Sequence, residues 1–202
     1  FGKFYASVKT QVDLQLPMYY PISITPYFVQ NRFDYYRSSS TFFEDIKPSF
    51  LIENEMYVGA KIKHPLTNNS RSTFHIRKFE IREEYYQTNN FLSTDTADVT
   101  TFRGETISWQ LEINSLNRKQ FASEGHYFGF KSRLVQGLER SVSGSTSVTD
   151  YEITKNHQWV NLEAEFQSFF VNTPHFHLGI HAKSVMNSQS LFSTYKASIL
   201  SA

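Results

Sequence analysis

Apolar and polar residues alternate with period two along most of this chain, over stretches longer than an ordinary strand. From His157 onward, Val160, Leu162, Ala164, Phe166 and Phe170 share one face, while Trp159, Asn161, Glu163, Glu165 and Gln167 share the other. After Asn172-Thr173-Pro174 the division repeats, with Phe176, Leu178, Ile180, Ala182 and Met186 against His175, His177, His181 and Lys183. The pattern predicts a tall hairpin. A three-residue connection makes opposing residue numbers sum to about 346, placing Glu163 opposite Lys183, Glu165 opposite His181, Phe166 opposite Ile180 and Phe170 opposite Phe176.

The same period marks Phe4 to Leu14, Ile22 to Tyr36, Lys47 to Pro65, Thr73 to Gln87, Thr100 to Asn114 and Tyr127 to Gln136, and Leu191 to Leu200 is expected to begin another strand. Pro26 is expected at a bulge or outside the ladder. Between Phe74/Ile76 and Phe79/Ile81 the apolar phase slips, which predicts a bulge near Arg77-Lys78. Arg37 to Glu44, Thr88 to Val99 and Gly137 to Lys155 read as polar loops, the last as a flexible excursion. The connections Leu16 to Pro21 and Thr67 to Ser70 are short. About eight long strands with short turns at one end and long loops at the other are the rhythm of a transmembrane barrel. The fold expected is all-β: an antiparallel up-and-down transmembrane β-barrel segment, part of a larger barrel.

Composition fits. The chain has 202 residues, a formal charge of +1, 19 Phe and 12 Tyr, yet its mean hydropathy is that of a water-soluble protein. Alternating lipid-facing and lumen-facing residues reconcile abundant aromatics with that average. No apolar run reaches the roughly 18 residues of a membrane helix. The charge gives no argument for nucleic acid. No cysteine is present, which removes disulfides and thiol chemistry. Phe1-Gly2-Lys3-Phe4 does not read as a signal peptide, and Ile199-Leu200-Ser201-Ala202 lacks a terminal aromatic residue; residues 1–202 are therefore expected to be one partial barrel domain, internal to a longer chain.

In this reading Val160, Leu162, Phe166, Leu178 and Ile180 face lipid, and Glu112, Lys131, Arg133, Glu163, Glu165, His181 and Lys183 form a laced polar cluster facing the lumen. Tyr19, Tyr20, Tyr35, Tyr36, Tyr85 and Tyr86 at strand ends are candidates for interfacial girdles. The competing class is a soluble or surface-tethered all-β module that binds glycans or lipids, since a sandwich also alternates; strand length favours the barrel.

Ile107 to Arg118, Phe121 to Gly125 and His126 to Leu134 resemble the barrel of the bacterial surface antigen and outer-membrane assembly superfamily. Asn114 to Arg118 corresponds to its strand-ending turn, and Ala122 to Gly125 to its strand-opening element, with Ala122 in place of proline. More narrowly the chain is similar to the C-terminal barrel attached to patatin-like phospholipases of Bacteroidetes-type bacteria. The resemblance implies a bacterial outer-membrane location, contact with outer-membrane lipid, and a lipid acyl hydrolase domain upstream in the same polypeptide; a homodimer is compatible with it.

No chemistry is expected within this segment. Ser141-Val-Ser-Gly-Ser145 does not fit the Gly-x-Ser-x-Gly elbow. His177 and His181 lie about 13 Å apart along a strand, at roughly 3.3 Å per residue, so with His175 they do not make a metal site. Glu163 and Glu165 suit salt bridging better than glycosidase chemistry, and no cofactor is expected.

Overall fold

Alternating side chains rich in Val, Ile, Phe, Tyr and Thr have one regular outcome, the pleated strand, and the described residues take it over most of their length. The computed structural model describes residues 4–17, 21–37, 49–88, 92, 94–118, 120, 122–173 and 176–190, and within them nine strands and no helix form. These are β1 (Phe4–Gln11), β2 (Leu14–Leu16), β3 (Ile22–Arg37), β4 (Ser49–Thr67), β5 (Ser70–Tyr85), β6 (Asp98–Asn114), β7 (Gly125–Val142), β8 (Glu152–Thr173) and β9 (Phe176–Asn187). All pair antiparallel in one sheet in chain order, β1 and β2 sharing β3. The result is an up-and-down meander, and among the described residues its two edges do not pair. The connections 68–69 and 115–124 fall at one end, the short-turn end after the first of them, and 86–97 and 143–151 at the other, the long-loop end, although 115–124 is no shorter than 143–151.

β1 and β2 are one strand interrupted opposite a proline. Gln11 pairs with Tyr27 and Leu14 with Ile24, so the register is unchanged across the gap. The Val12 N–H donates to the Pro26 carbonyl at 3.1 Å, and in an antiparallel pair a residue's N–H points the same way as its C=O. Pro26 has no N–H to return, so the ladder lapses at residues 12 and 13. β3 itself runs through Pro26 without a bulge, paired to Ala60. The break falls on the neighbour rather than at the proline.

Three other expectations are corrected. In the β8–β9 hairpin Glu163 pairs with Val185, Glu165 with Lys183 and Phe166 with Ala182, a sum of 348 in place of 346; a bulge between Phe169 and Val171 then shifts the register so that Thr173 meets Phe176. Phe170 is left unpaired and Phe176 has a different partner. A slip of two residues preserves every face, so the pleat pattern alone does not choose between the registers.

No bulge lies near Arg77-Lys78, since β5 pairs continuously from Arg71 to Tyr85 against β4 and from Ser70 to Tyr85 against β6. Gly137 to Lys155 is largely strand, the loop being confined to 143–151. Leu191 to Leu200, the residue pairs Tyr19/Tyr20 and Pro174/His175, and the side chains of Tyr35 and Tyr36 lie outside the described residues.

What the phase slip on β5 marks is an inversion of the sheet's two faces. Following cross-strand partners, one outer rung runs Leu14, Ile24, Ile62, Phe74, Trp109, Ser132, Leu162, Met186, and the next Pro26, Ala60, Ile76, Ile107, Leu134, Val160. One step toward the long loops the outer rung becomes Lys78, Glu105, Gln136, Gln158, and Glu80 and Arg103 follow, joined at 2.9 Å. On the inner face the long-loop half holds the apolar side chains, with Glu83, Asp98, Glu139 and His157 buried at and beyond them. Charged residues occupy the short-turn half, and Phe79, Phe102 and Val135, with Tyr57, Ile81 and Trp159 against them, form a buried apolar cluster in the long-loop half.

Glycines make room for that cluster. A Cβ on Gly137 would lie 2.6 Å from the Phe102 ring, which leans across the glycine to stack on Trp159 at 5.8 Å. Gly125, with φ of 97°, opens β7 in the left-handed region where a side chain would be strained.

Candidate functional site

The inner face carries the chemistry-bearing side chains, and alternation places them. Successive inner rungs, from the long-loop end, are Phe79-Gly104-Gly137-His157, then Gly59-Arg77-Thr106-Val135-Trp159, then Lys61-His75-Ser108-Arg133-Asn161, then Lys63-Thr73-Gln110-Lys131-Glu163. Below them Arg71 faces Glu112.

All seven residues expected in the polar cluster lie on this face. Glu163 accepts from Lys183 at 2.9 Å and stands 4.0 Å from Lys131. His181 and Glu165 are 3.0 Å apart. The pairs Glu163/Lys183 and Glu165/His181 therefore touch as diagonal neighbours although the expected backbone register is wrong. Glu112 accepts from the Arg71 Nε at 2.9 Å. Arg133 takes no carboxylate among the described residues; it lines a cavity on the other side of the cluster. The five apolar residues expected to face lipid all lie on the outer face, Val160, Phe166, Leu178 and Ile180 exposed and Leu162 half-buried.

Arg77 and Arg133 line a cavity of about 350 Å³ together with Thr106, Phe102, Val135 and Trp159. Arg77 lies over the Tyr57 ring at 4.9 Å. Its Nε is buried without a hydrogen-bond partner, and so is the hydroxyl of Thr106, the residue directly opposite it on β6. Above the cavity a buried hydrogen bond joins His157 Nε2 to Glu139 at 2.5 Å, and His157 Nδ1 meets Ser190 Oγ at 3.3 Å.

At the long-loop end one carboxylate gathers two loops. Asp98, 0 % exposed, accepts from Gln87 Nε2 at 2.6 Å, the Gly144 amide at 2.7 Å, Ser147 Oγ at 2.5 Å and Tyr151 Oη at 3.2 Å. Thr96 and Ser145 bind each other reciprocally, and Ser145 Oγ donates to Asp95 at 2.8 Å. The Leu92 amide and that serine hold the Asp95 carboxyl below its usual pKa. The serine-rich stretch is thus a clasp, not a flexible excursion. Tyr86 joins it through the Asp95 carbonyl, at 3.4 Å, far from the apolar band.

Among the described residues no three His, Asp or Glu side chains are placed to hold a metal. No family model matches the chain, and no curated protein or solved structure is significantly similar to it.

Two features escape a reading of the sequence. The Arg77-Thr106-Arg133 grouping spans three strands and has no local signature, and the Asp98 hub joins residues nearly fifty apart.

Proposed function

We propose that this chain is wall of a bacterial outer-membrane β-barrel and serves as a membrane anchor. The observation that carries the reading is where the apolar surface lies. Among the described residues only Phe79, Phe102 and Val135 are buried apolar side chains, whereas Val58, Ile62, Ile76, Ile107, Trp109, Val160, Phe166 and Ile180 stand exposed in one outer band. In water such a contiguous patch seeks cover. Lipid provides that cover, and an antiparallel sheet closed on itself satisfies its backbone there.

Two further observations support this. The band slants, reaching Met56 on β4 at one extreme and Phe166 on β8 at the other, as a horizontal layer does when it crosses tilted strands. On β6 and β7 it is bounded, covering Ile107 to Ile113 and Phe128 to Leu134, seven residues on each strand against the roughly 9 to 11 of a tilted spanning strand. The rest of each strand rises above it as a collar around the aromatic cluster, its outer surface polar on β5 and β8 and mixed on β7, where Leu138 and Val142 are exposed beside Arg140.

The cargo of the anchor, on the family resemblance, is a lipid acyl hydrolase domain upstream in the same polypeptide; a Gly-x-Ser-x-Gly motif in the preceding gene sequence is the corresponding expectation. The anchor is tested with the two tryptophans. In vesicles whose acyl chains carry bromine, Trp109→Phe should abolish a quenched component of the intact protein's emission, and Trp159→Phe should leave that component in place. Equal quenching of the wild type and Trp109→Phe, or a stable monomer without detergent, would remove the membrane reading.

A further inference from the structure

The cavity at the junction of the two inner halves is lined by donors that lack an acceptor. Arg77 Nε and Thr106 Oγ1 are both buried with no partner, and Thr106 is only 2 % exposed. Arg133, two residues along β7 from Thr106's partner Val135, brings a second guanidinium to the same space. Each of these groups can give a proton to a bond, and neither guanidinium can accept one. Leaving such groups unpaired costs about 1–3 kcal/mol for each, so the arrangement calls for a ligand rich in lone pairs.

Toward the short turns the surrounding charge has the same sign, while toward the long loops the nearest carboxylates already have partners, Glu55 in Asn31 and Glu139 in His157. The three rungs from Arg77 to Lys131 hold Lys61, Lys63, Arg77, Lys131 and Arg133, and Glu163 is the one carboxylate among their described members. Glu163 is already engaged with Lys183 and Lys131. Beside these donors Phe102, Val135 and the ring of Trp159 give the cavity an apolar surface, and Asn161, Asn187 and Gln189 are also part of its lining.

We propose that this cavity binds the carboxylate of a medium-chain fatty acid. The head accepts from Arg77, Arg133 and Thr106, and the alkyl tail lies along Phe102, Val135 and Trp159. The cavity's volume of about 350 Å³ is at the lower end of the roughly 300–1,000 Å³ of small-molecule sites. A bidentate guanidinium contact suits a planar carboxylate. The site is on the inner face and does not depend on what covers the outer one, so its test is separate from the quenching of Trp109.

Trp159 reports on the site directly. In the intact protein carrying Trp109→Phe, decanoic acid brominated at its tail should quench Trp159 saturably, and the equally brominated decanol should not. The double variant Arg77→Gln/Arg133→Gln should weaken the acid's apparent affinity at least tenfold. Thr106→Val, which keeps shape and removes one donor, should weaken it severalfold and serves if the double variant does not fold. Equal quenching by acid and alcohol, no saturation, or an acid affinity unchanged in Thr106→Val and in whichever arginine variant folds would overturn the proposal. Inorganic phosphate competing as strongly as decanoate would also overturn it, showing an anion site with no use for the apolar wall.

Discussion

Replacing Asp98 with alanine removes the acceptor of four hydrogen bonds at once, from Gln87, Gly144, Ser147 and Tyr151. A hydrogen bond to a charged group contributes about 1.5–3 kcal/mol, and the four are not additive because they share one carboxylate. Breaking a buried charged contact from one side typically costs about 3–5 kcal/mol. Taking ~4 kcal/mol for the clasp, and 1.4 kcal/mol for each tenfold change in an equilibrium, hydrogen exchange of the Gly144 amide should accelerate about a thousandfold. The isosteric Asp98→Asn retains one carbonyl oxygen for Gly144 and Ser147 and turns a donor toward Gln87 and Tyr151. Its expected loss is about half, ~2 kcal/mol, or roughly thirtyfold in exchange. The assay is hydrogen exchange of residues 143–151 in the intact protein, with limited proteolysis in parallel. Acceleration below tenfold in Asp98→Ala, with the loop still resistant to protease, would refute the hub and assign the clasp to the Thr96–Ser145 pair.

Gly137→Ala should push the new Cβ against the Phe102 ring, 2.6 Å away, and the Arg103 carbonyl, also 2.6 Å away. Overpacking of this kind costs about 1–3 kcal/mol, seen as a lower urea midpoint and a changed near-ultraviolet signal from the Phe102–Trp159 stack; an unchanged midpoint contradicts the close fit. For Asp95 the sign is that of a depressed carboxyl: its contribution is full above the unfolded pKa of about 3.9 and disappears as pH falls through the lower folded value. Protease sensitivity of residues 86–97 should therefore rise below about pH 4, and Asp95→Asn should be sensitive at neutral pH already. A wild type and variant with identical pH profiles would exclude that role.

The division of side chains between two faces was legible in the sequence wherever one face was apolar, which covers β4, β6, β8 and β9 and all twelve residues singled out on them and on β7. Registers were not. Sums of 346 and 348 put the same residues on the same faces, so only the connection and the bulge at Phe170 distinguish them; Pro174 marks the connection without fixing its length, and the bulge has no glycine or proline to mark it. Gly137 to Val142 and Glu152 to Lys155 escape the sequence reading because Arg140 interrupts Leu138 and Val142 on the outer side, Glu152 and Thr154 are polar there, and Glu139, Ser141 and Lys155 lie inside, which leaves little amphipathic contrast to detect. The slip at Arg77-Lys78 was a true signal given the wrong cause. Alternation reports which face is apolar, and when the surroundings exchange sides, an unbroken strand looks as if it had gained a residue.

That exchange of sides fixes how far the sheet can enter a bilayer. In the membrane proposed here, sinking the sheet by one pleat repeat would carry Lys78, Glu105 and Gln136 into hydrocarbon, where each basic residue costs up to about 2–4 kcal/mol at depth. Raising it by one would strip lipid from Ile76, Ile107, Leu134 and Val160 with nothing to replace it. The short-turn end is the only one with little to drag through the hydrocarbon, since the clasped loops and the collar are bound by charged groups. The same rung of residues that ends the greasy band is thus a depth stop and a one-way sign, setting both the draught of the barrel and the end that leads during insertion.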